Sequence, residues 1–217
     1  MKWYFDNMRK HVIETITFFS NSNGNEEKEE RERSTCRAFL RTIGVAFEEK
    51  ELLAPAPSGE PSDVDFRSAR FQIREILDQN RKRGDEWKKK LKEYSEKKQA
   101  KEWLKPYSLS TSIELQELMP KIVQALLEKF NKPNYGAVVC SSIDALVYVN
   151  LKDQHLATHS NMPNLDELRS QGWRSVSLLF PPYGVILYAD SMAPDFLCAL
   201  EPGQYMKFED ISSLFDT

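Results

Sequence analysis

Along the first 43 residues, apolar side chains recur at three- and four-residue steps, the period of a helix with one buried face. Met8, Val12, Ile13, Ile16 and Phe19 predict an amphipathic helix over residues 6–20, ended by Asn21-Ser22-Asn23-Gly24-Asn25. A second is predicted from Glu26 to Ile43. It opens in charge, gathers Cys36, Phe39, Leu40 and Ile43 on one face, and meets Gly44, a residue suited to the left-handed turn that stops helices. The clearest pattern runs from 112 to 130, where Ile113, Leu118, Ile122, Val123, Leu126, Leu127 and Phe130 line one side and Pro120 suits a first turn.

Between these helices the period changes to two. Asp63-Val64-Asp65-Phe66 and Arg70-Phe71-Gln72-Ile73-Arg74-Glu75-Ile76, separated by three residues, predict a β-hairpin. Residues 48–54 predict a short strand. Apolar runs at 137–140, 145–151, 176–180 and 185–188 predict further strands, with a short helix over 165–170. Pro55-Ala56-Pro57-Ser58-Gly59-Glu60-Pro61 reads as a loop and Pro181-Pro182-Tyr183 as a turn. The segment from Arg81 to Lys101 is helix-prone and closed by Pro106, so residues 81–105 read as a charged helical insertion. No internal repeat is visible, and 217 residues suit one α/β domain over 1–217.

Composition narrows the class. Hydrophobic residues at 41% and aromatics at 11% fit a globular chain, and no run approaches the ~18 apolar residues of a membrane span. The opening Met1-Lys2-Trp3-Tyr4-Phe5-Asp6 lacks a basic segment followed by an apolar one, so a soluble, cytoplasmic protein without a membrane partner is expected. Cys36, Cys140 and Cys198 are odd in number, far apart and beside apolar stretches, which fits buried structural thiols better than disulfides or zinc ligands. His155 and His159 would share a face on a helix, but their surroundings read as a loop or strand end, so no metal role is expected of them.

Charge is unevenly spread. From Arg81 to Lys105 there are eleven Lys or Arg against five Asp or Glu, a local +6, so the rest of the chain carries −9 of the total of −3. Trp87, Tyr94 and Trp103 are interleaved there. The stretch is either a solvated helix face or a track for a phosphate backbone, with Arg81, Arg83, Lys88, Lys89 and Lys90 as its contacts.

The candidate chemistry lies in the hairpin, at Pro61-Ser62-Asp63-Val64-Asp65 and Phe71-Gln72-Ile73-Arg74-Glu75. Residues two apart in a strand point the same way. Asp63 and Asp65 therefore share a face, as do Gln72 and Arg74, and pairing across the hairpin sets both toward one site. Glu75 points to the other face unless a bulge brings it round. At 100° per residue Glu32 falls on the side of Cys36, Phe39 and Ile43, either as an inward carboxylate or as the frayed outer end of that stripe.

The order of helix, short strand, hairpin, long helix and strand, with this motif in the hairpin, resembles the PD-(D/E)XK nuclease superfamily and its restriction-endonuclease-like core. Within it the chain resembles a small uncharacterised bacterial family, through Pro61 to Leu77 and more weakly through Ala145 to Leu200. The resemblance implies a central mixed sheet flanked by helices and a Mg²⁺ site, with Mn²⁺ as substitute, held by carboxylates on adjacent strands and one from the preceding helix. Carried over, Asp63, Gln72 and Glu32 are the metal residues, and Arg74 joins them in the catalytic set. The departures are Gln72 where the pattern has Glu or Asp and Arg74 where it has Lys. A Gln carbonyl can ligate a hard cation but adds no charge. Arginine keeps a positive charge for phosphate but cannot act as a base. Two functions follow as expectations: a metal-dependent nuclease acting on DNA or RNA phosphodiesters, or a non-catalytic protein of that fold that binds a nucleic acid or a protein partner. No Gly-x-Ser-x-Gly elbow, phosphate-cradling glycine loop or Cys-x-x-Cys pair offers another chemistry.

Overall fold

The computed structural model describes residues 25–55, 61–81, 83–96, 110–159 and 161–209. The expected helix at 6–20, loop residues 56–60 and the stretch 97–109, with Trp103 and Pro106, lie outside the described residues. The chain divides into two compact units, one of residues 1–30 and 79–109, the other of residues 31–78 and 110–217. The charged stretch belongs to the first, where helix Arg83–Glu96 is its main described element.

The second unit is built on a six-stranded sheet. In chain order its strands are β1 (Val64–Phe66), β2 (Ala69–Leu77), β4 (Asp144–Asn150), β6 (Ser175–Phe180), β7 (Tyr183–Ala189) and β8 (Tyr205–Lys207), hydrogen-bonded in that same order. β2, β4 and β6 are parallel, and the remaining pairs are antiparallel. β3 (Thr111–Ile113) and β5 (Gln154–Leu156) form a separate two-stranded parallel sheet. Interior parallel strands are covered on both faces and so read as apolar runs rather than alternations. β6, Ser-Val-Ser-Leu-Leu-Phe, is buried at all six positions.

Helices cover both faces. Ala145, Val147, Val149, Val176 and Leu178 form one core with Leu118, Ile122 and Leu126 of the helix Leu115–Phe130. Phe71, Leu146, Leu179 and Ile186 form the other with Cys36, Phe39 and Leu40 of the helix Asn25–Thr42. The coarse fold is thus mixed α/β, a central mixed sheet flanked by helices. Gly44 ends the second of these helices at φ +73, where Val45 N–H donates to Leu40 O at 3.0 Å and Gly44 N–H to Arg41 O at 3.1 Å. The helix end sits so close to β7 that a Cβ at Gly184 would lie 3.0 Å from Thr42 Cγ2.

Four expectations are corrected. Residues 48–54 form a 3-10 turn, Glu49–Glu51, and an isolated bridge from Leu53 to Asp65, because buried Arg37 takes Glu49 in a bidentate pair at 2.8 to 3.0 Å that a strand would not present. The β-branched run 137–140 is a short helix, set between Gly136 at φ +103 and a following turn, with Cys140 buried and Val138 87% exposed. Pro120 lies inside the helix Leu115–Phe130 rather than in its first turn. Its missing N–H is tolerated because Leu115, Leu118, Met119, Ile122 and Val123 are held in the core. Cys198 is exposed, its thiol donating to Asp190 O and Ala193 O, whereas Cys36 and Cys140 are buried as expected. Among the described residues no helix is long and apolar enough to cross a membrane.

Candidate functional site

The hairpin register places Val64 opposite Phe71 and Asp65 opposite Arg70. One step further, Asp63 N–H donates to Phe71 O at 2.7 Å, which sets the Asp63 side chain against Gln72. Phe71 belongs to the core beneath the helix Asn25–Thr42, and Ile76 to the core beneath the helix Leu115–Phe130. Strand alternation therefore sends Gln72 and Arg74 to the second face. Register with β4 is unbroken from Phe71 to Leu77. Without a bulge Glu75 stays on the opposite face, and its Oε1 accepts from Asn150 Nδ2 at 2.9 Å.

Gln72 is 1% exposed, so its amide must find partners within the protein. Its Nε2 donates to Asp63 Oδ2 and lies 3.3 Å from Ile73 O, while Ile73 N–H donates to the same Asp63 oxygen at 2.8 Å. Its Oε1 faces the hydroxyl of Tyr135, which also reaches Pro61 O at 2.6 Å. A phenol has one proton, so it serves these two acceptors one at a time. Only with Oε1 toward Tyr135 and Nε2 toward Asp63 does the Gln72 amide itself donate to the Asp63 carboxylate.

Tyr135 closes the cluster. Its ring lies 6.5 Å from that of Trp173 and carries Lys129 Nζ 4.5 Å above its centroid. Burial, and next the Asp63 carboxylate, push its hydroxyl well above the ordinary phenol range. Arg74 opposes them, and Cys140 and Glu32 add to the rise. The hydroxyl thus keeps its proton at physiological pH, and Glu32 and Arg74 are both within electrostatic reach of it. Arg74 is half-buried, and among the described residues its guanidinium makes neither an ion pair nor a hydrogen bond. Asp65 lies across from Arg70, with a buried Oδ1 that has no hydrogen-bond partner among the described residues.

Of the residues singled out from sequence, Asp63 and Gln72 are in direct contact, and Arg74 and Glu32 act on the same phenol. Tyr135 was not foreseen. It stands in a loop 63 residues from Gln72, and its only local mark is a lone tyrosine between Pro133 and Gly136. In the other unit, Lys88 and Lys89 are exposed, and Arg81 Nε donates to Glu86 Oε1 at 2.7 Å. The side chains of Arg83, Trp87, Lys90 and Tyr94 lie outside the described residues. His155 is exposed on β5 with Nδ1 3.0 Å from Ser110 Oγ.

As a metal site the donor set is sparse. Among the described residues no three His, Cys, Asp or Glu side chains converge as a cage. Gln72 Nε2 lies against Asp63 Oδ2 and 3.3 Å from Ile73 O, so the amide itself stands between the two oxygens that a hard cation would share.

A family model described as "Putative endonuclease, protein of unknown function (DUF1780)" matches residues 2–212. Among solved structures, the chain is similar to a protein of unknown function from Pseudomonas aeruginosa strain PAO1, described as of the monooxygenase superfamily. The two share 23% identity over 91% of this chain and 96% of that one, with a TM-score of 0.62. At that identity the likeness shows the fold alone, and the superfamily named there describes that protein. No curated protein matches the chain.

Proposed function

The chain belongs to the DUF1780 family, and on that premise we propose that it is a metal-dependent nuclease-like protein of restriction-endonuclease-like fold, acting at the Asp63 hairpin on DNA or RNA phosphodiesters. The observation that carries the reading is Arg74, a half-buried guanidinium without an anionic partner among the described residues, on the face it shares with Gln72 and within reach of Tyr135. A cation so placed is incomplete until an anion arrives, and a phosphodiester oxygen suits a guanidinium fork.

In this reading Asp63, Gln72 through its carbonyl and Glu32 from the neighbouring helix hold Mg²⁺ or Mn²⁺. When bound, the metal supplies charge neutralisation at the phosphoryl oxygens and a lowered pKa for water. Arg74 orients the phosphate and stabilises charge developing on it, without taking a proton. Tyr135, held protonated, keeps a proton to donate at neutral pH. Lys88 and Lys89, with Arg81, Arg83 and Lys90, supply long-range attraction for a polyanion, an effect that falls as salt rises.

A second reading rests on one contact. Gln72 Nε2 already donates to Asp63, so the amide occupies the place a cation would take, as in a fold kept for binding a nucleic-acid or protein partner. Calorimetric titration of Mg²⁺ and Mn²⁺ into the full chain and its Asp63→Ala variant separates the two, followed by incubation with plasmid and single-stranded DNA. Metal binding lost in the variant, with metal-dependent cleavage, supports the nuclease. Affinity weaker than about millimolar that Asp63→Ala leaves unchanged removes its basis, since a real site should lose its main charged ligand.

A further inference from the structure

We propose that Arg74 holds a phosphoryl oxyanion directly, with no divalent cation between protein and ligand. The inference rests on that part of the reading above which gives Arg74 a phosphate, and departs from it in leaving the cation out. On β2, Arg74 stands on one face between Gln72, 1% exposed, and Ile76, 6% exposed, and in register with Val147 of β4, which is fully buried. A half-buried guanidinium in such surroundings has given up part of its hydration and regains the loss from an anion. Other arginines of the chain meet that demand internally: Arg37, Arg67, Arg81 and Arg174 each have a carboxylate. Among the described residues Arg74 has none.

The strand pairing gives the direction of approach. β1 pairs with β2 as far as Phe71, and the Ile73 N–H goes to Asp63 Oδ2 at 2.8 Å rather than to a strand. From Ile73 onward, therefore, no strand lies along that side of β2 among the described residues, and a ligand reaches Arg74 across this edge. The Gln72 amide stands between Asp63 Oδ2 and Ile73 O, where a cation would have to bridge. What the cluster leaves to be answered is the positive charge of Arg74. Lys129 Nζ, 4.5 Å above the Tyr135 ring, and exposed Lys132, whose carbonyl takes the Tyr135 N–H at 2.9 Å, add positive charge on the neighbouring loop. The guanidinium fork offers paired N–H groups to two oxygens of one phosphate, a chemistry that free phosphate, a terminal phosphate and a backbone diester share. Asp63 supplies the discriminating sign. Its charge repels an anion bound directly, whereas it would strengthen one bound through a cation.

The test titrates the full chain and its variants in EDTA, with inorganic phosphate by calorimetry and with fluorescein-labelled single-stranded DNA by anisotropy, and then repeats both in Mg²⁺. Binding is expected in EDTA, weakened about tenfold by Arg74→Gln and about threefold by Arg74→Lys, which keeps the charge without the fork. Asp63→Asn, which keeps an acceptor for the Ile73 N–H, is expected to strengthen it about threefold. Arg74-dependent binding of both probes assigns a free or terminal phosphate, and of DNA alone a backbone diester. Binding in EDTA that Arg74→Gln leaves unchanged, or that Asp63→Asn weakens, overturns the inference. Binding that appears only with Mg²⁺ and is lost in Asp63→Asn overturns it too, while the metal-dependent reading stands. If neither probe binds in an Arg74-dependent way with or without Mg²⁺, both fall. Thermal melts of each variant separate a folding defect from a binding one. Should Arg74→Gln be unstable, Arg74→Lys and Asp63→Asn still decide, because their expected effects are opposite in sign.

Discussion

Two aspartates stand near the starts of strands in the same sheet, and their surroundings differ in kind. Asp144, at the head of β4, is fully buried, and its oxygens take Arg174 through Nε at 3.1 Å and through Nη2, Ser175 Oγ at 2.7 Å and Arg70 N–H at 3.0 Å. Arg174 also donates to Ser68 O, tying the hairpin to β6. Asp63, beside β1, receives a neutral amide and a backbone N–H on one oxygen, while the nearby guanidinium of Arg74 pairs with nothing described. A carboxylate and guanidinium in mutual contact cancel each other and hold strands together. The same two groups kept apart leave a field into which an anion and a cation can both fit.

The sharpest way to break this comparison is to remove each carboxylate. Asp144→Ala leaves Arg174, 13% exposed, without its counterion and is expected to cost about 3 to 5 kcal/mol in urea or thermal unfolding. Asp63→Ala is expected to cost less than about 2 kcal/mol, since the donors described on its Oδ2, the Gln72 amide and the Ile73 N–H, are both neutral. Equal losses would end the distinction.

Gln72→Glu sets a second carboxylate against Asp63. It is expected to lower stability by about 1 to 3 kcal/mol without divalent cation and to recover in millimolar Mg²⁺, measured as a melting-temperature difference with and without the ion. Arg74→Ala is expected to change stability by no more than about 1 kcal/mol while weakening oligonucleotide binding about tenfold in fluorescence anisotropy. A large stability loss with unchanged binding would make Arg74 structural, like Arg174.

The smallest effect is on titration. Burial and the Asp63 carboxylate both hold the Tyr135 hydroxyl up, so the folded chain retains protons that the unfolded chain releases, and stability is lost as pH rises past the ordinary phenol value of 10.0. Burial likewise raises the Cys140 thiol from 9.0 to about 11, so the decline starts above pH 9. Asp63→Asn is expected to let Tyr135 ionise at lower pH in an absorbance titration, whereas Asp144→Asn leaves its titration where it was.

Much of this arrangement was legible because it is local. Period-two spacing and a nine-residue separation were enough to set Asp63 against Gln72, and the three- and four-residue steps ending at Gly44 gave the inner face of the helix Asn25–Thr42 and its stop. Where local preference and tertiary demand disagreed, tertiary demand prevailed. Ala137-Val138-Val139-Cys140 has strand propensity but is helical, and residues 49–51 turn to deliver a carboxylate to buried Arg37.

By itself, then, the sequence determined which side of each regular element faces inward and which hairpin residues confront one another, since both depend on backbone periodicity over a few residues. Only the tertiary structure decided that Tyr135, 63 positions away, covers Gln72, which way the buried amide points, and that Asp144 finds Arg174 while Arg74 meets no carboxylate among the described residues. Those outcomes depend on which distant groups share a desolvated space. There, each donor and acceptor must be matched by whatever packing brings within about 3 Å, and no local pattern along the chain encodes that match.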